Sequence, residues 1–402
     1  MKVFFRRIHL YLSLVAGLVI MTCCFTGAVL VFQKELEQMF HKSRYTVKAE
    51  GRKLSLDSLV SNVKKAYPKA KVAGIRVYDD AERSAEVSVT IPDKKEKKAE
   101  AKAPVAKEKG KAKEAPRGGR VPTQTAFVNP YTGQVLELYN PREGFFYSML
   151  ALHRWLLGSN DGIGKYITGI STFIFLFILI TGIILWWPKT KKILTQRLKV
   201  KWNAGWKRLN HDLHIVLGFY SFLVLFIFAF TALAWSFEWF NKGIYKVTSS
   251  SMKQPEPPGS MYVADAKPIS FDKAFFAAQN KFTNVQFYNI TMPKDSAGAI
   301  TVTALSREAV HETATDALYV DQYSGAVLGQ YLFSDRNLGA RVRATFRPVH
   351  VGSIWGTPSK IIALIACLLG TSFPITGTIL WINRTRKSKR KTKIPTAEAI
   401  VS

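Results

Sequence analysis

The chain has 402 residues, with 57 Lys and Arg against 28 Asp and Glu, for a formal net charge of +29. Hydrophobic residues make up 48% and charged residues 21%, an ordinary average, but the apolar residues fall into four long runs with the basic residues between them. That distribution excludes a single soluble domain and a chain disordered throughout. The three cysteines, Cys23, Cys24 and Cys367, all lie inside apolar runs, which excludes a disulfide framework, a CxxC zinc site and a CxxCH haem-attachment site.

The apolar runs cover 10–32, 166–187, 214–235 and 361–382. Each is long enough to cross a hydrocarbon core of about 30 Å at about 1.5 Å per residue. The first is too long for a signal peptide and no A-x-A site follows it. Thr22 also spoils a lipoprotein signal at Ile20-Met21-Thr22-Cys23, so the run is read as a retained span. Lys2, Arg6 and Arg7 precede it, segment 188–208 has no acidic residue, and 384–402 has a single one. These three basic segments lie on one side, which the positive-inside rule makes cytoplasmic. The charge therefore belongs to topology, and no nucleic-acid motif accompanies it.

In chain order the expected organisation is a cytoplasmic N-terminus and first span (1–35), an outside domain (36–163), and a second span with a basic loop (164–213). A third span (214–240), a second outside domain (241–349), a histidine segment with the fourth span (350–383) and a basic cytoplasmic tail (384–402) follow.

The spans repeat. His9 precedes Phe25-Thr26-Gly27 by the same offset as His214 precedes Phe230-Thr231-Ala232, and the second and fourth runs share Thr-Gly-x-Ile-Leu-Trp, at 181–186 and 376–381. Two parallel copies related by an axis along the membrane normal are expected. The outside segments also correspond. Leu56, Leu59, Val60 and Val63 have helical spacing after a Ser55 cap, and 271–282 reads as its counterpart. Strand patterns follow at 72–78, 87–91, 127–128 and 135–136, and again at 285–290, 300–305, 319–320 and 327–328. Asn129-Pro-Tyr-Thr-Gly and Asp321-Gln-Tyr-Ser-Gly mark the last turns. Each outside domain is thus expected to be a helix on its own small antiparallel sheet. The Lys- and Ala-rich stretch 94–120 is read as a disordered insert.

The two turn motifs resemble the ends of PepSY domains. His9, Leu152-His153-Arg154-Trp155 and His350-Val351-Gly352 resemble the PepSY-associated transmembrane-helix family. The resemblance covers nearly the whole chain except the insert and the tail. Gln322 departs from the more usual Asp-Pro-Tyr-Thr-Gly. The implied fold class is membrane α-helical, four transmembrane helices in two parallel repeats, with two periplasmic α+β PepSY-like domains in a bacterial inner-membrane protein. The family includes iron-regulated inner-membrane proteins and haem-carrying ferric-siderophore reductases. Some relatives carry a fused flavodoxin-like reductase domain. No Gly-rich dinucleotide loop occurs here, so a separate electron donor is expected, either quinol or a cytoplasmic reductase.

Five of the seven histidines sit at or just beyond span ends. His9 and His214 occupy equivalent inner positions, and His153 and His350 equivalent outer ones. An imidazole from each of two helices makes six-coordinate b-type haem, with no covalent attachment needed. The expectation is one or two haems b, the inner one on His9 and His214 and the outer one on His153 and His350. If only one is bound, the outer pair are rim groups. His211, three residues before His214, is a second candidate for that ligand position or a propionate contact. Arg7, Arg154, Arg208 and Arg347 are the candidate propionate partners. A lone histidine at a membrane interface is more often an anchor, and Gly or Thr in a span more often serves helix packing or its own backbone. The symmetric pairing together with the resemblance favours ligation. His41 and His311 are read as surface residues.

The function expected is electron transfer across the membrane to a periplasmic ferric siderophore or other ferric chelate, whose hard-oxygen ligands release iron on reduction. The alternative is a non-redox envelope protein that binds a periplasmic peptidase or other partner, with structural histidines. A transporter ranks last, since Pro374 is the one helix break within a span.

Overall fold

A computed structural model describes residues 1–91, 123–263 and 265–392. The expected disordered insert at 94–120 lies outside the described residues. In chain order the structure runs α1 (Lys2–Leu30), α2 (Gln33–Phe40), α3 (Lys42–Tyr45), α4 (Leu56–Ala66), β1 (Lys71–Tyr78), β2 (Ala85–Thr90), β3 (Thr123–Val128) and β4 (Val135–Tyr139). Helices α5 (Phe145–Trp155), α6 (Ile163–Trp186), α7 (Lys191–Arg197), α8 (Trp206–Ser236), α9 (Glu238–Val247) and α10 (Phe271–Gln279) follow. The chain continues through β5 (Val285–Thr291), β6 (Ile300–Ser306), β7 (Asp316–Val320), β8 (Val327–Tyr331), α11 (Leu338–His350) and α12 (Thr357–Thr392). It divides into two compact units, one of residues 1–33, 145–250 and 342–402, the other of 34–144 and 251–341.

Among the described residues, the first unit contains four helices long and apolar enough to cross a membrane, α1, α6, α8 and α12. Helix α1 packs on α6 and α12, and α8 packs on the same two. Small residues open these contacts. Ala16 and Ile20 of α1 meet Ile178 of α6, while Ala229 and Leu233 of α8 meet Leu176. A Cβ on Gly17 would touch the Pro374 ring at 3.5 Å, so α1 lies close against α12 there. Helix α12 runs on through Pro374, the break expected from sequence. The third span also begins earlier than its apolar run, at Trp206, which puts His211 and His214 inside the helix.

The second unit has one core, where two were expected. Helix α4 starts at Ser55, whose Oγ accepts from Ser58 N at 3.2 Å, and buries Leu56, Leu59, Val60 and Val63. Ser270 caps α10 in the same way through Lys273 N, and Phe271, Ala274 and Ala278 face inward. Both helices cover a single eight-stranded sheet of order β4-β3-β2-β1-β5-β6-β7-β8. The two small sheets merge because β1 pairs antiparallel with β5, Gly74 opposite Thr291 through Tyr78 opposite Phe287. A backbone edge left by one half is thereby closed by the other. Gly74 makes this possible, because a Cβ there would stand 2.4 Å from Ile290 O. Burying the inward Ile75, Val87, Val89, Ile290, Val302 and Leu318 stabilises the sheet by about 1.5–3 kcal/mol per side chain.

The two turn motifs close outer hairpins. Asn129 Oδ1 accepts from Tyr131 N at 2.8 Å and Asp321 Oδ1 from Tyr323 N at 2.9 Å. Gly133 (φ +72°) and Gly325 (φ +80°) take the left-handed step. Gln322, the departure from the usual proline, is buried, and its Nε2 donates to Asp295 O at 3.1 Å and Gly298 O at 2.7 Å.

Candidate functional site

Four histidines of the first unit form two pairs at opposite ends of the helix bundle. His9, near the start of α1, has Nδ1 3.0 Å from Thr181 Oγ1 on α6. His214, near the start of α8, has Nδ1 2.8 Å from Thr376 Oγ1 on α12. Both line a cavity of about 510 Å³ that also takes in His211. Basic residues of α1, α7 and α12 reach it: Lys2, Arg6, Arg197 and Arg384. Such a volume is that of a small-molecule or cofactor pocket.

The second pair comes from the two shorter helices that precede the even-numbered spans. His153, near the end of α5, has Nδ1 3.1 Å from Thr26 Oγ1 on α1 and 2.9 Å from Cys23 O. His350, the last residue of α11, has Nδ1 3.1 Å from Thr231 Oγ1 and 3.1 Å from Phe228 O on α8. The two rings meet edge to face, with centres 6.2 Å apart and planes at 63°. Trp235 and Phe228 pack against His350 at 5.4 and 5.9 Å.

Glycines seat three of the rings. A Cβ on Gly182 would meet His9 Cε1 at 3.4 Å, one on Gly27 would meet His153 Cε1 at 3.4 Å, and one on Gly377 would meet His214 Cε1 at 3.2 Å. Ala232 stands where the fourth would be. These glycines face the imidazoles themselves, in addition to easing helix packing.

The other sequence candidates are distributed as follows. His211 lines the cavity, and its Nδ1 lies 3.1 Å from Asp212 Oδ1. Arg208 is held by that same buried carboxylate at 2.8 Å. Arg7 is exposed and absent from the cavity wall, where Arg6 stands instead. Arg6 is three residues before His9 and so shares its helix face, while Arg7 does not; helical phase was the signal that distinguished them. Arg154 covers the Trp155 ring at 4.9 Å, and Arg347 is exposed. Arg343, absent from the sequence candidates, covers Trp235 at 4.8 Å and donates to Asn241 Oδ1 at 2.8 Å. His41 is exposed as expected. His311 is buried in the second unit, against the surface reading, because Thr313 Oγ1 at 3.0 Å and the edge of Phe333 enclose it. Its burial, with Arg336 nearby, lowers its pKa below the ordinary imidazole value.

The family described as the PepSY-associated TM region matches residues 6–384. No curated protein matches the sequence. The chain belongs to the PepSY-associated TM region family, and its four apolar helices make it a multi-pass membrane protein.

Proposed function

We propose that this family member is a haem-carrying electron-transfer protein of the bacterial inner membrane that reduces a periplasmic ferric siderophore or other ferric chelate and so releases Fe(II). The observation that carries the reading is the pairing of four imidazoles, two at each end of one bundle. The geometry of the second pair fits the group. The ring centres of His153 and His350 are 6.2 Å apart, near enough for both to hold one metal ion. The first pair fits by its surroundings, an apolar cavity with a basic rim.

Haem, when bound, supplies reversible one-electron exchange. The chain's own residues do the rest. His9 with His214 would hold the iron of one group, and His153 with His350 that of the other. Lys2, Arg6, Arg197 and Arg384 would meet the carboxylates of the group at the first cavity, and Arg154 and Arg343 those at the second end. His211, hydrogen-bonded to Asp212, belongs to that rim in this reading, and His214 is the ligand. The apolar walls exclude water and keep the electron carrier in a low dielectric. The positive-inside rule puts the His9 end at the cytoplasm with both termini, and the His153 end at the periplasm. Two parallel copies fit the strand order, which reads alike from both edges about the β1–β5 pair.

A reduced-minus-oxidised visible spectrum of the purified full chain, with haem quantified per chain, tests this. Two haems b per chain, reoxidised by a ferric siderophore, are expected. His9→Ala or His214→Ala is expected to remove one haem, and His153→Ala or His350→Ala the other. A folded protein that takes up no supplied haem would refute the reading and leave a non-redox envelope role.

A further inference from the structure

The Thr-Gly and Thr-Ala pairs that recur in all four spans have no role in the reading so far beyond seating rings. We infer that Thr26, Thr181, Thr231 and Thr376 are positioning residues that fix the proton of each facing imidazole on Nδ1 and leave Nε2 bare as the metal-binding nitrogen. What Nε2 meets rests on the haem reading; the position of the proton does not.

A threonine hydroxyl has one proton to give. Each of the four gives it to its own helix. Thr26 Oγ1 donates to Thr22 O at 2.7 Å, Thr181 to Phe177 O at 2.8 Å, Thr231 to Ile227 O at 2.8 Å and Thr376 to Ser372 O at 3.1 Å. Each also has the carbonyl three residues back within 3.2 Å, so the proton stays on that side. Only lone pairs are left to face the histidine, and a nitrogen 2.8–3.1 Å away must then donate. Nδ1 therefore carries the hydrogen.

Two independent observations agree. At the second pair the Nδ1 atoms also approach backbone carbonyls, Cys23 O at 2.9 Å and Phe228 O at 3.1 Å. A carbonyl only accepts, so a bare Nδ1 there would face two acceptors. Among the described residues, no hydrogen bond is made by Nε2 of any of the four histidines. The opposite tautomer would give up the acceptors that face Nδ1 and gain no protein acceptor at Nε2.

The exchange runs within each half of the chain. Helix α1 offers His9 to Thr181 of α6, and α5, leading into α6, returns His153 to Thr26 of α1. Helix α8 offers His214 to Thr376 of α12, and α11 returns His350 to Thr231 of α8. Adjacent positions on a helix point about 100° apart. The threonine therefore takes the ring nitrogen while the following Gly or Ala takes Cε1 of the same ring. Both ring orientation and tautomer are set before any metal arrives, the usual task of a partner to a metal-bound histidine.

The test uses the full chain in detergent, labelled with ¹⁵N-histidine and stripped of haem. Nitrogen chemical shifts distinguish a protonated from a bare ring nitrogen. The four imidazoles are expected as neutral rings with the proton on Nδ1. Thr→Val at 26, 181, 231 or 376 keeps the shape, removes the acceptor and is expected to move only the facing histidine toward the other tautomer. Thr→Ser is expected to restore it. In haem-loaded protein the valine variants are expected to lose about 10–100-fold in affinity at the affected pair, and the serine variants to retain it. Unaltered chains whose Nε2 carries the proton would overturn the inference. So would valine variants that leave both tautomer and affinity unchanged. If the Nδ1 protons are found but no haem binds, the haem reading fails while the tautomer assignment stands.

Discussion

Asp57 and Asp272 cross-cap the two helices that cover the sheet, and this pairing makes a pH-dependent prediction. Asp57 accepts from Phe271 N at 3.0 Å and Asp272 N at 3.1 Å; Asp272 accepts from Leu56 N at 2.8 Å and Asp57 N at 3.1 Å. Four first-turn amides without an intrahelical acceptor are satisfied this way, and two carboxylates are brought together to do it. Burial works against ionisation at both. At Asp57 the hydrogen bonds from Asp272 and Phe271 outweigh it and hold the carboxyl below its usual range. At Asp272 burial, then the hydrogen bond to Asp57 and its charge, push the carboxyl above that range. Asp57, with a depressed pKa, contributes stability that is present above the ordinary carboxylate pKa and lost as pH falls through its folded value. Asp272, with a raised one, contributes stability that is present below the ordinary pKa and lost as pH rises through its folded value. The helix pair is therefore most stable near pH ~4.

Magnitudes follow from the contacts. Losing one cap costs about 1 kcal/mol. Repulsion between the two half-exposed carboxylates, taken at its bulk-water value, is also about 1 kcal/mol. At neutral pH, Asp57→Ala or Asp272→Ala alone removes one cap and the repulsion together, and nets close to zero. The double variant loses both caps and regains the repulsion once, so it costs about 1 kcal/mol, or about fivefold faster local exchange. Near pH ~4, with one proton shared, each single variant costs about the full cap. Hydrogen–deuterium exchange of the α4 and α10 amides in the full chain measures this. Additive single substitutions at neutral pH, or a coupling that ignores pH, would refute the reasoning.

Two further substitutions probe close approaches. Gly74→Ala puts a Cβ 2.4 Å from Ile290 O, so β1 and β5 must part locally. A loss of about 1–3 kcal/mol is expected, read as faster exchange across the β1–β5 seam, while the helix bundle keeps its exchange pattern. Gly377→Ala crowds His214 at 3.2 Å, whereas Gly27→Ala and Gly182→Ala meet their rings at an ordinary 3.4 Å. The ¹⁵N-histidine spectrum is expected to shift at His214 for the first and to stay close to the unaltered protein for the other two. Equal shifts in all three would remove the packing argument.

Much of this molecule was legible from local pattern alone. Four runs of bilayer length, basic flanks, Ser55 before helical spacing, and turn motifs ending in glycine each depend on neighbours within a few residues, so they survive in the linear chain. The equivalence of His9 with His214 was legible too, as equal offsets to a shared motif, and that of His153 with His350 as offsets to Thr181 and Thr376 that differ by two residues.

Contacts made over long sequence separations were decided only in the folded chain. That the two expected sheets would fuse was invisible, because strand edges do not encode their partner and the seam depends on one glycine, Gly74, that admits a carbonyl. Arg6 and Arg384 entered the cavity wall, while Arg208 was taken up by Asp212, through helix phase and packing. The threonines carried one legible role, bonding their own helix, and that role held. Only when α1 lies against α6, and α8 against α12, do their remaining lone pairs meet an imidazole from another helix. Hydrophobic periodicity specifies that a helix buries a face; it does not specify against which neighbour, and the chemistry of these histidines lies in that choice.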